Sequence, residues 1–232
     1  MIRLPSSIDH LPLTMPFKAI TFDAYGTLVR NEGLMRVPER IVADHNLSVS
    51  VHDVWRVWSD LYFEATQKTP FRTLRQIEED ILRVVLDHFG VRADVAPYVD
   101  LFFEVTTKVE LYPEVPAVLN ALNGVRSAIV SNADREHIAA WDFALPVQCV
   151  LISETVRAYK PHPRLFQAAL ARLGCAPHEV LHVGDSDVDD VKGAKVVGLR
   201  VAWVNRNRRP RRADVPTPDF EVANLTELLT LL

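Results

Sequence analysis

The sequence predicts an α/β protein: a Rossmann-like, doubly wound parallel sheet with an all-helical segment inserted after its first strand. Three observations carry that reading. Short apolar runs rich in branched residues recur along the chain, bounded by turn formers, as strands buried on both faces require. Helical stretches separate the later runs, so strand and helix alternate. The stretch 33–110 breaks this alternation with helical apolar periodicity and no strand-like run.

Residues 17–22 form the first strand candidate. After it, Val51, Val54, Trp55, Trp58, Leu61, Tyr62 and Ala65 fall at helical spacing as one apolar stripe. Leu74, Ile77, Ile81, Val84, Val85 and Phe89 form a second, which stops at Gly90. The α/β texture resumes near Tyr112 and Pro113. The expected division is therefore a core of 1–32 with 111–232, and a helical insert of 33–110. Further strands are expected at 126–130, 147–152, 180–183 and 199–204. Between the third and fourth strands, 161–173 places Leu165, Ala168, Ala169 and Leu173 at helical spacing, with Gly174 as the expected C-terminal cap.

The 232 residues are 48% hydrophobic and 24% charged, which excludes disordered and fibrous classes. A formal net charge of −4 argues against a protein built to coat nucleic acid. No apolar run approaches the roughly 20 residues of a membrane span. The first 16 residues, broken by Pro5, Pro12 and Pro16, lack a secretory leader's apolar stretch. Cys149 and Cys175 lie in apolar contexts and read as two buried thiols in a reducing cytoplasm, with a bridge as the alternative.

Ligands of an open α/β sheet bind beyond the carboxyl ends of its strands. There the first strand runs into Asp23-Ala24-Tyr25-Gly26-Thr27-Leu28, and the second into Ser131-Asn132. Lys160 follows the third. The fourth runs into Gly184-Asp185-Ser186-Asp187-Val188-Asp189-Asp190, followed by Gly193-Ala194. Turn preference explains any one of these sites. It explains four on one edge poorly, because clustered carboxylates repel unless a cation or a role keeps them together.

In this order, Asp23…Thr27, Ser131, Lys160 and Asp185…Asp190 resemble the four motifs of the haloacid dehalogenase superfamily of aspartate-nucleophile hydrolases. Each motif is short, but four in sequence, each after a strand, are specific and span most of the chain. The insert resembles that family's helical cap, which closes over the site and selects the substrate. The resemblance implies that Asp23 is the nucleophile and forms a covalent aspartyl intermediate that water hydrolyses. It implies that Ser131 hydrogen-bonds the transferred group with support from Thr27, and that Lys160 offsets negative charge. Mg²⁺ would be ligated by Asp23, Asp185 and the backbone carbonyl of Tyr25, while Asp190 would hold a metal-bound water or orient Lys160. Tyr25, Asn132 and Arg56 complete the expected substrate contacts.

The family contains phosphatases and dehalogenases, and this chain mixes their signatures. Most of its phosphatases carry a second Asp two residues after the nucleophile, as general acid. Here Tyr25 stands there, and a phenol with pKa about 10 is a poor substitute. Asp-Ala-Tyr-Gly-Thr instead resembles the metal-independent 2-haloacid dehalogenases, whose halide leaves without a proton. Trp55-Arg56 resembles their halide-binding arginine, and Arg56 falls off the apolar stripe, where it could face the cleft or solvent. Against this, those dehalogenases place Ser and Asn where this chain has Asp185 and Asp187, and Tyr where it has Phe166. Acidic groups repel an anionic haloacid unless a cation intervenes, and with Mg²⁺ present phosphate is the natural ligand.

The favoured expectation is Mg²⁺-dependent hydrolysis of a small phosphorylated metabolite through an aspartyl-phosphate. The alternative is an (S)-2-haloacid dehalogenase acting through an ester on Asp23, and a non-catalytic binding module is a third reading. The expected partner is a small anionic molecule, with no nucleic acid or membrane, and the chain is a monomer or homodimer. The basic run 206–212 reads as a solvated loop, or as a contact for an anionic substrate tail. His162 reads as opening a helix and His182 as a core histidine with its hydrogen bonds satisfied. Trp55, Trp58, Phe63, Phe102 and Phe103 read as the insert's core and as possible pocket wall.

Overall fold

The computed structural model describes residues 16–232, so the expectation about Pro5, Pro12 and a leader falls outside the described residues. Strand β1 (Ala19–Phe22) is followed by a 3-10 turn at Glu32–Met35 and by α1 (Arg36–Asp44), α2 (Val51–Thr66), α3 (Leu74–His88) and α4 (Ala96–Thr107). Next come α5 (Val115–Ala121), β2 (Arg126–Ser131), α6 (Arg135–Ala139), β3 (Cys149–Ile152), α7 (Ser153–Val156) and α8 (Pro163–Leu173). Strand β4 (Val180–Gly184) leads into a π-helical stretch, Asp187–Lys192. Then follow α9 (Gly193–Val196), β5 (Arg200–Val204), β6 (Phe220–Val222) and α10 (Leu225–Leu228).

The strands form one parallel sheet in the order β3-β2-β1-β4-β5-β6. The chain runs outward from β1 to β3 and then crosses to β4 on the other side of β1. The order therefore reverses between β1 and β4, where diverging loops leave a crevice at the carboxyl ends. Ile20, Phe22, Ile129, Leu181 and Val183 pack on one face with α5 and α10. Ala19, Ala128, Val130, Val180 and Val201 pack on the other with α8. Coverage of both faces is why these runs lack polar alternation.

Departures from the expected elements have local reasons. Val150 of β3 is 36% exposed, because β3 is a sheet edge rather than a doubly covered strand. Strand β6, at the opposite edge, has three residues, too few to show a period. Helix α8 begins at Pro163 rather than 161: His162 is its N-cap and accepts the Arg164 N–H at 3.3 Å. Gly174 closes it with φ 62°, a left-handed conformation suited to glycine. Cys149 and Cys175 are free and only half-buried. Among the described residues no helix is long and apolar enough to cross a membrane.

Helices α1 to α4 bury their own cluster, which includes Val37, Ile41, Val54, Trp58, Leu82 and Val85. Both long helices start with reciprocal caps, Ser50 with Asp53 and Thr73 with Gln76. The second stripe needs correction at Val84, which is 49% exposed. Glu78, one turn after Leu74 and one before Leu82, lies fully buried on the inner face instead.

The core fastens this helical segment through polar groups. Asp134, at the start of α6, accepts the N–H groups of Leu74 (3.1 Å) and Arg75 (3.3 Å) at the start of α3. A helix start leaves such donors without intrahelical partners, so a carboxylate from another segment completes the helix. His137 Nε2 lies 3.1 Å from Thr106 Oγ1 on α4, and the Tyr25 hydroxyl donates to Thr106 O at 3.0 Å. Arg75 pairs with Glu136 at 3.2 Å. The strand ends thus lie beneath α2, α3 and α4.

Two outcomes follow. Asp134→Ala is expected to lower stability by about 1–2 kcal/mol in urea unfolding and to speed amide exchange at Leu74 and Arg75; unchanged exchange there would remove Asp134 from that role. Burial pulls the His137 pKa down from 6.5 to about 4. The folded ring resists a proton that the unfolded ring takes. Its stabilisation is therefore complete above pH 6.5 and declines as pH falls toward 4. Urea midpoints measured from pH 7 to 4 should fall more steeply for the native chain than for His137→Ala.

Candidate active site

Asp23 continues the line of β1, its N–H donating to Val183 O of β4 at 2.8 Å. Lys160 Nζ lies 2.6 Å from Asp23 Oδ1 and 2.6 Å from Asp190 Oδ1, with its side chain 2% exposed. Asn132, at the end of β2, holds the lysine's backbone. Its Oδ1 accepts the Lys160 N–H at 2.8 Å, and its Nδ2 donates to Lys160 O at 3.4 Å and to Asp189 Oδ2 at 3.3 Å. Asp190 also accepts the Ser186 N–H at 2.9 Å and meets His182 Nε2 at 3.1 Å. Thr21, the register partner of His182 across β1 and β4, meets its Nδ1 at 2.9 Å. A neutral ring satisfies both contacts: Nε2–H donates to Asp190 and Nδ1 accepts the Thr21 hydroxyl proton. His182 is the satisfied core histidine expected of it, and it also steadies Asp190.

Glycines let the carboxylates approach the backbone. A Cβ on Gly184 would lie 2.2 Å from Asp190 Cγ, and one on Gly26, where φ is 90°, would lie 2.4 Å from Asp185 Oδ2. Only glycine fits at both places.

The electrostatics follow from four carboxylates around one buried ammonium. Burial pushes Asp23 up to about 6, although Lys160 pulls the other way. Asp190 is also buried, but Lys160 and the His182 hydrogen bond outweigh that and hold it down near 2. Asp189 is pushed up to about 8 by burial, and Asp185 well above the carboxylate range by burial and then by Asp23 and Asp190. For Lys160, burial opposes the charge, yet Asp190 and Asp23 more than offset it and raise the pKa. One cation neutralises one or two carboxylates; the others are held against their own charge.

Three buried polar atoms here have no partner: Asp23 Oδ2, Thr27 Oγ1 and Ser131 Oγ. Each such atom costs about 1–3 kcal/mol unless something satisfies it. Carboxylate oxygens of Asp23, Asp185 and Asp190 lie within 4.8 Å of one another, so an all-oxygen donor set is at hand. With the orphaned Asp23 oxygen and the carboxylates' excess charge, these residues fit a hard divalent cation.

A cavity of about 300 Å³ opens over them, lined by Asp23, Tyr25, Ser131, Asn132, Lys160, Asp185 and Asp190. Thr27 is fully buried beside them. Trp55, Trp58, Tyr62, Phe63 and Phe102 form much of its helical wall, so aromatic residues of the insert serve both as core and as pocket. The cavity holds groups able to attack, to donate hydrogen bonds to an anion, and to carry a compensating positive charge.

Two expected contacts change. Arg56 does not join the pocket: its side chain is 71% exposed and pairs with Asp53 one turn back, because α2 turns Trp55 and Ser59 toward the cavity instead. The Tyr25 ring lines the cavity, but its hydroxyl is committed to Thr106 O, and burial raises its pKa. Asn132 borders the cavity while its amide is engaged by Lys160 and Asp189. The solvated-loop reading of 206–212 also needs amendment. Arg206 is pinned to Gly26 O, Thr27 O and Glu114, and Arg209 reaches Asp185 O at 3.2 Å on the cavity rim. Asp189, Arg209 and Glu78 line the cavity without having been singled out as site residues. For Glu78 a signal existed: a carboxylate on the apolar face of a helix.

Comparisons with known proteins show the family. The family described as haloacid dehalogenase-like hydrolase matches residues 17–198. Over 166 residues the chain is 35% identical to a phosphoserine phosphatase of Thermus thermophilus, a match covering 68% of this chain and 64% of that protein. Over 232 residues it is 28% identical to (S)-2-haloacid dehalogenase 1 of a Pseudomonas species, covering 94% and 97%. A solved dehalogenase structure with an intermediate complex superposes with a TM-score of 0.76 at 25% identity, covering 95% of this chain and 99% of that one. With the family match spanning most of its length and the four strand-end motifs gathered at one cavity, this chain belongs to the haloacid dehalogenase-like hydrolases and is a hydrolytic enzyme.

Proposed function

We propose that this enzyme is a Mg²⁺-dependent phosphatase of a small phosphorylated metabolite, acting through an aspartyl-phosphate on Asp23. The observation that carries the reading is the excess of carboxylates: Asp23, Asp185, Asp189 and Asp190 surround a single buried ammonium, Lys160. An anionic substrate entering such a site meets repulsion unless a cation is shared with it. Mg²⁺ held by Asp23 and Asp185, with the Tyr25 carbonyl and the Asp190 side, would supply that shared charge and polarise the phosphoryl oxygens. The match to a phosphoserine phosphatase supports the same chemistry.

Within this reading Asp23 Oδ2 attacks phosphorus, the ester bond breaks, and the departing oxygen takes the electron pair. Ser131 Oγ hydrogen-bonds the transferring phosphoryl group, Thr27 supports the nucleophile's loop, and Lys160 balances the charge on Asp23 as the bond forms. Water then attacks phosphorus, which frees phosphate and returns the Asp23 carboxylate. His182 and Asn132 act through Lys160 and Asp190, as positioning residues. The Tyr25 hydroxyl donates to Thr106 and has no spare proton at neutral pH, which favours substrates whose leaving oxygen is weakly basic. The two unpaired thiols fit a reducing cytoplasm.

A second reading rests on the match to (S)-2-haloacid dehalogenase 1 along nearly the whole chain, and on Tyr25 in the first motif. There Asp23 would displace halide from carbon, and water would attack the Asp23 carboxyl carbon.

A panel of phosphomonoesters, acyl phosphates and (S)-2-haloacids, read for both phosphate and halide, separates the two. Phosphate release should require Mg²⁺, vanish with chelator, and fall on the order of 100-fold or more in Asp185→Asn. Halide release undiminished by chelator would replace this reading with the second. Single turnover in ¹⁸O-water should label released phosphate and leave Asp23 unlabelled; label in the Asp23 carboxylate marks the ester route. Arg56→Ala should leave kcat/KM within about twofold, as for an exposed residue off the site; a large loss for any substrate would place Arg56 back in the cleft.

A further inference from the structure

Glu78 is a buried group that the proposed chemistry does not use. It lies on the inner face of α3 among Leu74, Ile77, Ile81 and Leu82, fully buried, and borders the cavity that also holds Asp23. Its Oε2 accepts the Trp58 indole N–H at 2.8 Å, whereas its Oε1 has no partner. The first contact stabilises one oxygen and leaves the other as an unsatisfied acceptor. No described lysine or arginine pairs with it, and burial pushes its carboxyl up to about 8, so it is a cation held beside it that would keep the group ionised at neutral pH. A carboxylate on an apolar helix face destabilises the fold, so an ordinary core residue would be the better choice unless a ligand uses the oxygen.

The surroundings indicate which ligand. Trp55 and Trp58 meet edge to face at 5.5 Å between ring centroids, and Trp58 meets Phe102 at 5.9 Å. All three line the same cavity. Aromatic rings beside an unpaired carboxylate oxygen suit an organic cation better than a second anion. Toward the strand ends, by contrast, Lys160 and Ser131 favour an anion. The two ends of the cavity therefore differ in charge preference, and about 300 Å³ suits a small molecule that spans them.

We propose that the cavity's helical end is an ammonium subsite: the substrate is a small phosphomonoester whose primary ammonium sits against Glu78 and the rings of Trp55, Trp58 and Phe102, with its phosphoryl group at Asp23. This rests on the phosphatase reading and narrows its substrate class. The chemistry is mutually consistent. An ammonium near the ester oxygen withdraws electrons and makes the departing alkoxide less basic, which suits a site whose Tyr25 hydroxyl is held by Thr106.

The test compares 2-aminoethyl phosphate with two analogues of similar size, 2-hydroxyethyl phosphate and propyl phosphate, in the native enzyme with Mg²⁺. The amino ester should be preferred in kcat/KM by about ten- to a hundredfold, mostly through KM. Glu78→Gln, which keeps an acceptor for Trp58 but removes the charge, should bring that ratio close to one. Equal use of the amino and hydroxy esters, or a ratio unmoved in Glu78→Gln, overturns the subsite. A turnover-independent measurement follows ethanolamine binding through tryptophan fluorescence, to which Trp55 and Trp58 contribute beside Trp141 and Trp203, with propanol as control. It needs no variant, so it stands even if Glu78→Gln fails to fold. Ethanolamine binding that Glu78→Gln weakens, in an enzyme that hydrolyses no phosphomonoester, would retain the subsite and overturn the phosphatase reading; no binding preference over propanol would overturn the subsite.

Discussion

A single buried ammonium organises this protein's active end. Lys160 stands between Asp23 from β1 and Asp190 from the segment after β4, 2.6 Å from each. Removing one partner of such a buried pair typically costs about 3–5 kcal/mol, since the remaining charge is left without compensation. The supporting contacts exist to hold that geometry: Asn132 brackets the lysine's backbone, and His182, braced by Thr21, anchors Asp190. The same contacts tie β1, β2 and β4 together at their carboxyl ends, so the sheet's register and the site's geometry depend on one another. Shifting β4 by one residue against β1 would separate Thr21 from His182 and turn Asp190 away.

That ammonium is not enough for the charge around it. Asp190 gains most from Lys160, while Asp185 and Asp189 are left with carboxyls that burial pushes upward. A divalent cation would bring these groups back into their ionised range, and it would turn a site hostile to anions into one that attracts them. The helical segment adds to the effect by covering the strand ends. Asp23, Lys160 and Asp190 are themselves buried, so each charge interaction among them is stronger than it would be in the open. The helical segment's attachment through Tyr25, Asp134 and His137 uses the segments that follow β1 and β2, from which Asp23 and Asn132 also come, so cover and site share their supports.

Much of this was legible in residue order. Parallel strands covered on both faces leave continuous apolar runs, and ligand-binding residues collect where such strands end. Asp23, Ser131, Lys160, Asp185 and Asp190 could thus be named from their place after strands, and the structure brings them to one cavity. Edges were harder to read. Strand β6 is three residues long, and Val150 lies exposed on β3, because position in a sheet is not a local property.

The helical segment marks the boundary between the two kinds of information. Periodicity identified which stripe of α2 and α3 is apolar, but it does not say which neighbour each flank meets. Arg56 sits beside Trp55 in the chain, yet packing points it at Asp53 and solvent. Glu78 sits between Ile77 and Glu79, yet packing carries it inside, against Trp58. By itself the sequence determined the fold class, the order of the polar residues at the strand ends and the acidic character of the site, because each depends on short-range pattern. Tertiary structure alone decided which helical residues face the cavity, since a helix's rotation is settled by the surfaces it packs against, and those surfaces come from distant parts of the chain.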